Sequence, residues 1–265
     1  MIGHAAGKGT TIGTSVMLGQ NAGSSITTGT QYIAIGLSAG TNTKASDTGF
    51  AEYINAKGHS VAIGNSAGSG VTGDLNVAVG QLAGRNMKGS ANVDLGLWAG
   101  MQREGSKNVA IGFGAGHGVK GSNNIALGQG AGEWIEASHS IAFGTRAKAS
   151  ADNAISIGID SLVSGAGSVA IGEANEVSGE ASNALGSNNI IAQNNTFVVG
   201  NAVETTQANS VVLGNLSTDR AATSESTGTV GGITYGTFAG VGSADKGVVS
   251  VGAVGKERQL INVAA

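Results

Sequence analysis

The chain has 265 residues, with 47 glycines, no proline or cysteine, 12% charged residues and a net charge of −3. That balance gives no electrostatic case for nucleic acid or an anionic membrane surface, and the lack of cysteine excludes disulfide frameworks and thiolate metal or redox sites. Scattered glycine far above the usual ~7% would read as disorder, but these glycines keep register, which argues for turns.

Taken in order, the chain opens on copies of one unit, an apolar run closed by glycine and followed by Ala-Gly. They are Ile2-Gly3 with Ala6-Gly7, Ser15-Val-Met-Leu-Gly19 with Ala22-Gly23, and Tyr32-Ile-Ala-Ile-Gly36 with Ala39-Gly40. Nothing near Met1 resembles a signal peptide, and no run approaches the roughly 18 apolar residues of a spanning helix. An insertion over 41–57 then interrupts the unit. It reads as a surface loop, which repeat arrays tolerate on one face, and its Phe50 and Tyr53 are candidate surface contacts.

From Asn76 the unit runs uninterrupted as NVAVGQLAGRNMKGSA, NVDLGLWAGMQREGSK, NVAIGFGAGHGVKGSN and NIALGQGAGEWIEASH. The closing glycine falls at Gly80, Gly96, Gly112, Gly128 and Gly144, and a second follows at Gly84, Gly100, Gly116 and Gly132. Two glycine columns held at a sixteen-residue period mark a solenoid. Beyond Gly144 the period shortens to fourteen, through Gly158, Gly172, Gly186, Gly200 and Gly214, and the second column is lost at Lys148 and Leu162. A weaker apolar column follows each glycine, at Ile26, Val71, Met87, Val119 and Ile135 and then at Val163, Val177 and Ile191.

The strong run alternates as a strand does, with Val109 and Ile111 on one side and Ala110 on the other. β-Branched residues favour that pleated surface, and apolar runs of about four residues, each ended by glycine, exclude helices. The expected fold is all-β, a parallel β-solenoid in which each unit is one coil of two short strands and two tight turns. The middle column is almost always small, as in Ala34, Ala62, Ala78, Ala110, Ala126, Ala142 and Ala170. A column held at alanine predicts close approach of another surface, most simply other copies of the chain, and so a trimer interface at Ala110, Ala126 and Ala142. Asp94 interrupts that column. It reads as a partly hydrated carboxylate, or as one whose pKa is raised if three copies bring like charges together.

Asn108-Val-Ala-Ile-Gly112, Ser168-Val-Ala-Ile-Gly172 and Asn209-Ser-Val-Val-Leu-Gly214 resemble the head repeat of the YadA-like trimeric autotransporter adhesins. Val249-Ser-Val-Gly252 followed by Gly255-Lys-Glu-Arg-Gln-Leu-Ile-Asn-Val-Ala-Ala265 resembles that family's neck. The resemblance implies a left-handed parallel β-roll, three of which form a trimeric head, over residues 1–214. It implies a neck over 249–265 that leads to a coiled-coil stalk, and an outer-membrane anchor beyond the sequence given. A 215–248 excursion, not part of the repeat, would pack on the neck, its Ile233, Tyr235 and Phe238 suiting a short hairpin. In the neck, Arg258 would pair between chains, while Leu260 and Val263 would contribute more, since an exposed ion pair is worth only about 0–1 kcal/mol. The implied function is attachment from the bacterial cell surface to matrix proteins, host cells, like cells or abiotic surfaces.

Chemistry is otherwise sparse. The Gly-x-Gly-Ala-Gly runs lack the strand-to-helix context and Lys-Ser/Thr of a phosphate loop, the four histidines lack zinc-ligand spacing, and the serines have no His and Asp partners in a recognisable setting. No cofactor is expected, and the chain reads as a binding module, not an enzyme. Trp98 and Trp134 remain as candidate contacts, either as exposed anchors or as rings covering grooves between coils. The alternative is an ice- or polysaccharide-binding solenoid, which would need a flat column of threonine or aligned aromatics; threonine is scattered here.

Overall fold

The computed structural model describes residues 1–10, 14–27, 31–44 and 60–263, and the chain forms two compact units, Met1–Asp160 and Ser161–Ala265. Among the described residues there is no α-helix, and nearly all regular structure is parallel strand.

In the first unit the strands are β1 (Thr14–Leu18), β2 (Gln31–Ile35), β3 (Ser60–Ile63), β4 (Val77–Val79), β5 (Val93–Leu95), β6 (Val109–Ile111), β7 (Ile125–Leu127), β8 (Ile141–Phe143), β9 (Lys148–Ala149) and β10 (Ile155–Ile157). From β1 to β8 each pairs in parallel with the next, and β8 pairs with β10. Repeat positions stand in register, Val93 opposite Val109 and Ala110 opposite Ala126. Such stacking, one coil above another at about 4.8 Å, is the β-solenoid expected. The second strand of each coil shrinks to single bridges that run Thr72, Lys88, Glu104, Lys120, Glu136. Along this outward column charges alternate, so that Lys88 Nζ lies 2.6 Å from Glu104 and Lys120 pairs with Glu136.

Two features lock the register. An asparagine heads each apolar run from β4 to β7, and its side chain stitches coils together: Asn108 N donates to Asn92 Oδ1 at 2.9 Å, Asn124 N to Asn108 Oδ1 at 2.8 Å, and Asn108 Nδ2 to Gly121 O at 3.0 Å. Asn76, Asn92, Asn108 and Asn124 are all buried, so the ladder satisfies backbone groups that water does not reach. Replacing Asn108 with alanine orphans Asn124 N and Gly121 O, each at about 1–3 kcal/mol. The expected loss is about 2–4 kcal/mol, read as a lower urea midpoint at unchanged slope. The second feature is the closing glycine, whose backbone lies against the next coil: a methyl group on Gly112 would stand 2.6 Å from Gly128 O.

The second unit contains β11 (Leu162–Val163), β12 (Val169–Ile171), β13 (Glu176–Val177), β14 (Asn183–Ser187), β15 (Ile190–Ile191), β16 (Phe197–Asn201), β17 (Val211–Leu213), β18 (Thr227–Val230), β19 (Ile233–Gly236) and β20 (Val249–Ser250). Strands β12, β14, β16, β17 and β20 form one parallel sheet, and β11, β13 and β15 another. Loss of the Ala-Gly turn puts an asparagine and serine ladder in its place, with Asn189 N on Asn175 Oδ1 at 3.2 Å and Asn175 Nδ2 on Gly186 O at 2.8 Å.

Val249 of β20 pairs directly with Val211 of β17, so the chain leaves the stack over 215–248 and returns to it at the next position. The excursion forms the expected hairpin from β18 and β19. The start of the excursion meets the neck, with Thr218 N donating to Gly252 O at 3.0 Å, whereas the hairpin residues Val230, Ile233, Tyr235 and Phe238 are all solvent-exposed.

Candidate functional site

The first correction concerns which face of the strand lies inside. In β4 to β8 the middle residue is buried and the two flanking residues are partly or largely exposed. Ala110, Ala126 and Ala142, expected at an interface between chains, are buried within their own coil. The surface that approaches them belongs to the same chain, since a methyl group on Gly116 would stand 2.9 Å from Ala110 Cβ and one on Gly132 3.2 Å from Ala126 Cβ. Alanine and glycine face each other across a narrow, close-packed lumen in most coils of this unit, while Met17 and Asp94 stand buried in the same column opposite Gly23 and Gly100.

The flanking residues therefore form an outward ridge two side chains wide. In the first unit it runs Val77 and Val79, Val93 and Leu95, Val109 and Ile111, Ile125 and Leu127, Ile141 and Phe143, with Ile111 36% and Phe143 53% exposed. In the second unit Val169 and Ile171, Phe197 and Val199, and Val211 and Leu213 repeat the pattern, which Asn183 interrupts beside Leu185. A lone exposed apolar residue is ordinary, but a contiguous ladder of them marks a surface built to be covered.

Asp94 is a second correction. It is fully buried rather than partly hydrated, and its partner is Arg103 of the same coil, whose Nη2 lies 3.0 Å from Oδ2 and 2.9 Å from Oδ1. Both carboxylate oxygens face a single nitrogen instead of meeting the guanidinium fork, and Arg103 Nε has no hydrogen-bond partner among the described residues. Burial pushes the Asp94 carboxyl up to about 6 against the pull of Arg103, and burial pushes the Arg103 guanidinium down. The sequence held a signal for the pair, because Arg103 stands in the apolar column of Val71, Met87, Val119 and Ile135, in the coil where the alanine column is also broken.

The turn after each closing glycine carries the aromatic candidates. Trp98 is 37% and Trp134 59% exposed. Trp98 packs on Phe113 of the next coil, with ring centroids 5.2 Å apart, and Trp134 on His117 at 4.6 Å. Each Trp thus covers a step between coils while leaving much of its ring in solvent, joining the two readings the sequence allowed. The indole of Trp134 rests over Gly118, where a methyl group would stand 2.2 Å from the ring. Burial lowers the pKa of His117, opposed by Glu133. Phe50 and Tyr53 lie outside the described residues.

At the neck, Arg258 donates to Asn215 O, Ser217 Oγ and Val251 O of its own chain, at 2.7–2.9 Å, so it ties the neck to the last turn. Leu260, Ile261 and Val263 are about seven-tenths exposed. Among the described residues no cluster of His, Asp or Glu could hold a metal ion, and no helix is long and apolar enough to cross a membrane. No family model matches the chain, and no curated protein matches it.

Proposed function

We propose that the chain is the head of a trimeric surface adhesin of the YadA-like kind. Three left-handed rolls pack side by side through the ridge that flanks the buried alanine column, and the assembly holds a cell to matrix proteins, host cells, like cells or abiotic surfaces without catalysis. The observation that carries this reading is the ridge itself. Valine, isoleucine, leucine and phenylalanine occupy two outward positions on strand after strand, where a solenoid facing water would carry Lys, Glu, Thr and Ser. Three ridges around one axis remove this surface from water, and burial of each large side chain contributes about 1.5–3 kcal/mol. The exposed Leu260, Ile261 and Val263 continue the same logic into the neck, which leads in turn to a stalk and an outer-membrane anchor. Linking three heads multiplies weak contacts by avidity.

The test is a ridge charge. Ile125→Lys leaves the coil interior untouched, because Ile125 faces outward, and is expected to reduce the particle to single-chain mass and to abolish retention on surfaces coated with matrix protein or cells. A variant that keeps the assembly of the unmodified chain would refute the ridge as the interface.

A further inference from the structure

We propose a second site, on the turn face of the first unit, that binds an extended pyranose polysaccharide; it rests on reading the chain as a binding module and names the ligand class. The turns after Gly96, Gly112 and Gly128 stack in register, as Gly114 N donates to Leu97 O, Gly130 N to Phe113 O and Trp134 N to His117 O. Two lanes therefore run along this face. In one, the positions two past the glycine read Trp98, Gly114, Gly130; in the other, the positions six past it read Gln102, Gly118, Trp134.

Glycine at 114 lowers the floor of the first lane, and Glu133 reaches across into it: a methyl group on Gly114 would stand 2.5 Å from Glu133 Oε1, and one on Gly130 3.7 Å from Oε2. One lane thus offers a half-exposed indole braced by Phe113 and, one coil on, a carboxylate laid over bare backbone. The other offers the Trp134 ring braced by His117. Trp98 and Trp134 belong to coils two apart, which sets them on the order of 10 Å apart along the stack, a span matched by two linked sugar rings.

This is the chemistry that recognises sugars. Pyranose rings present flat C–H faces to indoles packed against their neighbours, and their hydroxyls donate to a carboxylate acceptor. Few and fixed polar groups among aromatic surface set the orientation of a ligand. A proline-rich segment also docks on aromatic surfaces and a cationic side chain on an indole face. The first, lacking backbone donors, leaves the Glu133 carboxylate without hydrogen bonds, and the second needs only one of the two rings.

Trp98 and Trp134 are the only tryptophans in the chain, so Trp98→Phe and Trp134→Phe each leave one reporter. Soluble β-glucan, xylan and chitin oligosaccharides are titrated against both, with a proline-rich and a Lys/Arg-rich peptide as competitors. The expected result is saturable emission change from both reporters with at least one saccharide, and binding at least tenfold weaker in Trp98→Ala, Trp134→Ala and Glu133→Ala, each of which keeps a cooperative unfolding transition well above the assay temperature. No response to any saccharide, a response to a peptide alone, or undiminished binding by the alanine variants would overturn the proposal. Molar mass measured on the same samples separates the two readings. Saccharide binding by a single-chain particle refutes only the assembly, and an assembled particle blind to saccharides refutes only this site.

Discussion

Replacing Asp94 with alanine is expected to destabilise the Met1–Asp160 unit by about 3–5 kcal/mol, because it strands the Arg103 guanidinium in the coil interior without a counter-charge. Arg103→Val alone leaves the converse orphan and is expected to cost a similar amount. Asp94→Ala combined with Arg103→Val restores the residues that neighbouring coils carry at both positions, Ala78 and Ala110 in one column and Val119 in the other. Replacing a buried pair by well-packed apolar residues is often neutral or stabilising by about 1–4 kcal/mol. The geometry favours that outcome here, since both carboxylate oxygens meet one nitrogen and Arg103 Nε has no partner among the described residues. Equilibrium urea unfolding of the four proteins gives the coupling energy directly. Additive single costs in the double variant would refute the pairing.

The same pair gives a pH signature. The folded Asp94 carboxyl titrates at about 6 against 3.8 in a free chain, so between these values the folded state holds a proton that the unfolded state has released. Its contribution is present in full below about pH 4 and is lost as pH rises through about 6, a change of about 1.4 kcal/mol for each pH unit between. Glu104 and Asp160 pull the other way. Their carboxyls are held below the usual range by hydrogen bonds from Lys88 and Arg146, respectively, so their stabilisation is lost as pH falls. Both remain in the double variant. The difference between unmodified and double-variant stabilities is therefore expected to decline from pH 4 to 6, and a flat difference would contradict the buried carboxyl.

Gly112→Ala is the second large effect. The backbone there has φ +130°, and the added methyl would lie 2.6 Å from Gly128 O and 2.8 Å from its carbonyl carbon. Neither neighbour can turn aside, since both are main chain of the stacked coil. Conformational strain costs about 1–3 kcal/mol and overpacking about 1–3 kcal/mol more, for an expected loss of about 3–5 kcal/mol. Gly167→Ala is the control, with φ +64° and open space around the new methyl, expected to cost only about 1–2 kcal/mol. Equal losses at the two positions would show that the stacked carbonyl is not what demands glycine at 112.

The glycine columns made the strands, turns and stacking legible from sequence alone, because each glycine ends an apolar run too short for a helix. The inward face was harder. Alanine between Val109 and Ile111 says that something comes close, and only the coil's own closure makes that something the Gly116 backbone instead of a second chain. The opposing column was visible in the same repeat, as the glycine four past each closing glycine, but a pattern does not say which columns meet across a lumen. Arg103 was passed over because a lone charge in an apolar column draws notice only beside its partner in Asp94. Trp98 and Trp134 could be singled out as rare residues, whereas the reach of Glu133 over Gly114 depends on rotamers that no spacing records.

The central claim is that the outward ridge is covered by two further copies of the chain, and molar mass in solution tests it most directly. Light scattering on the unmodified chain is expected to give three times the 25.8 kDa of one chain. A single-chain mass would contradict the account.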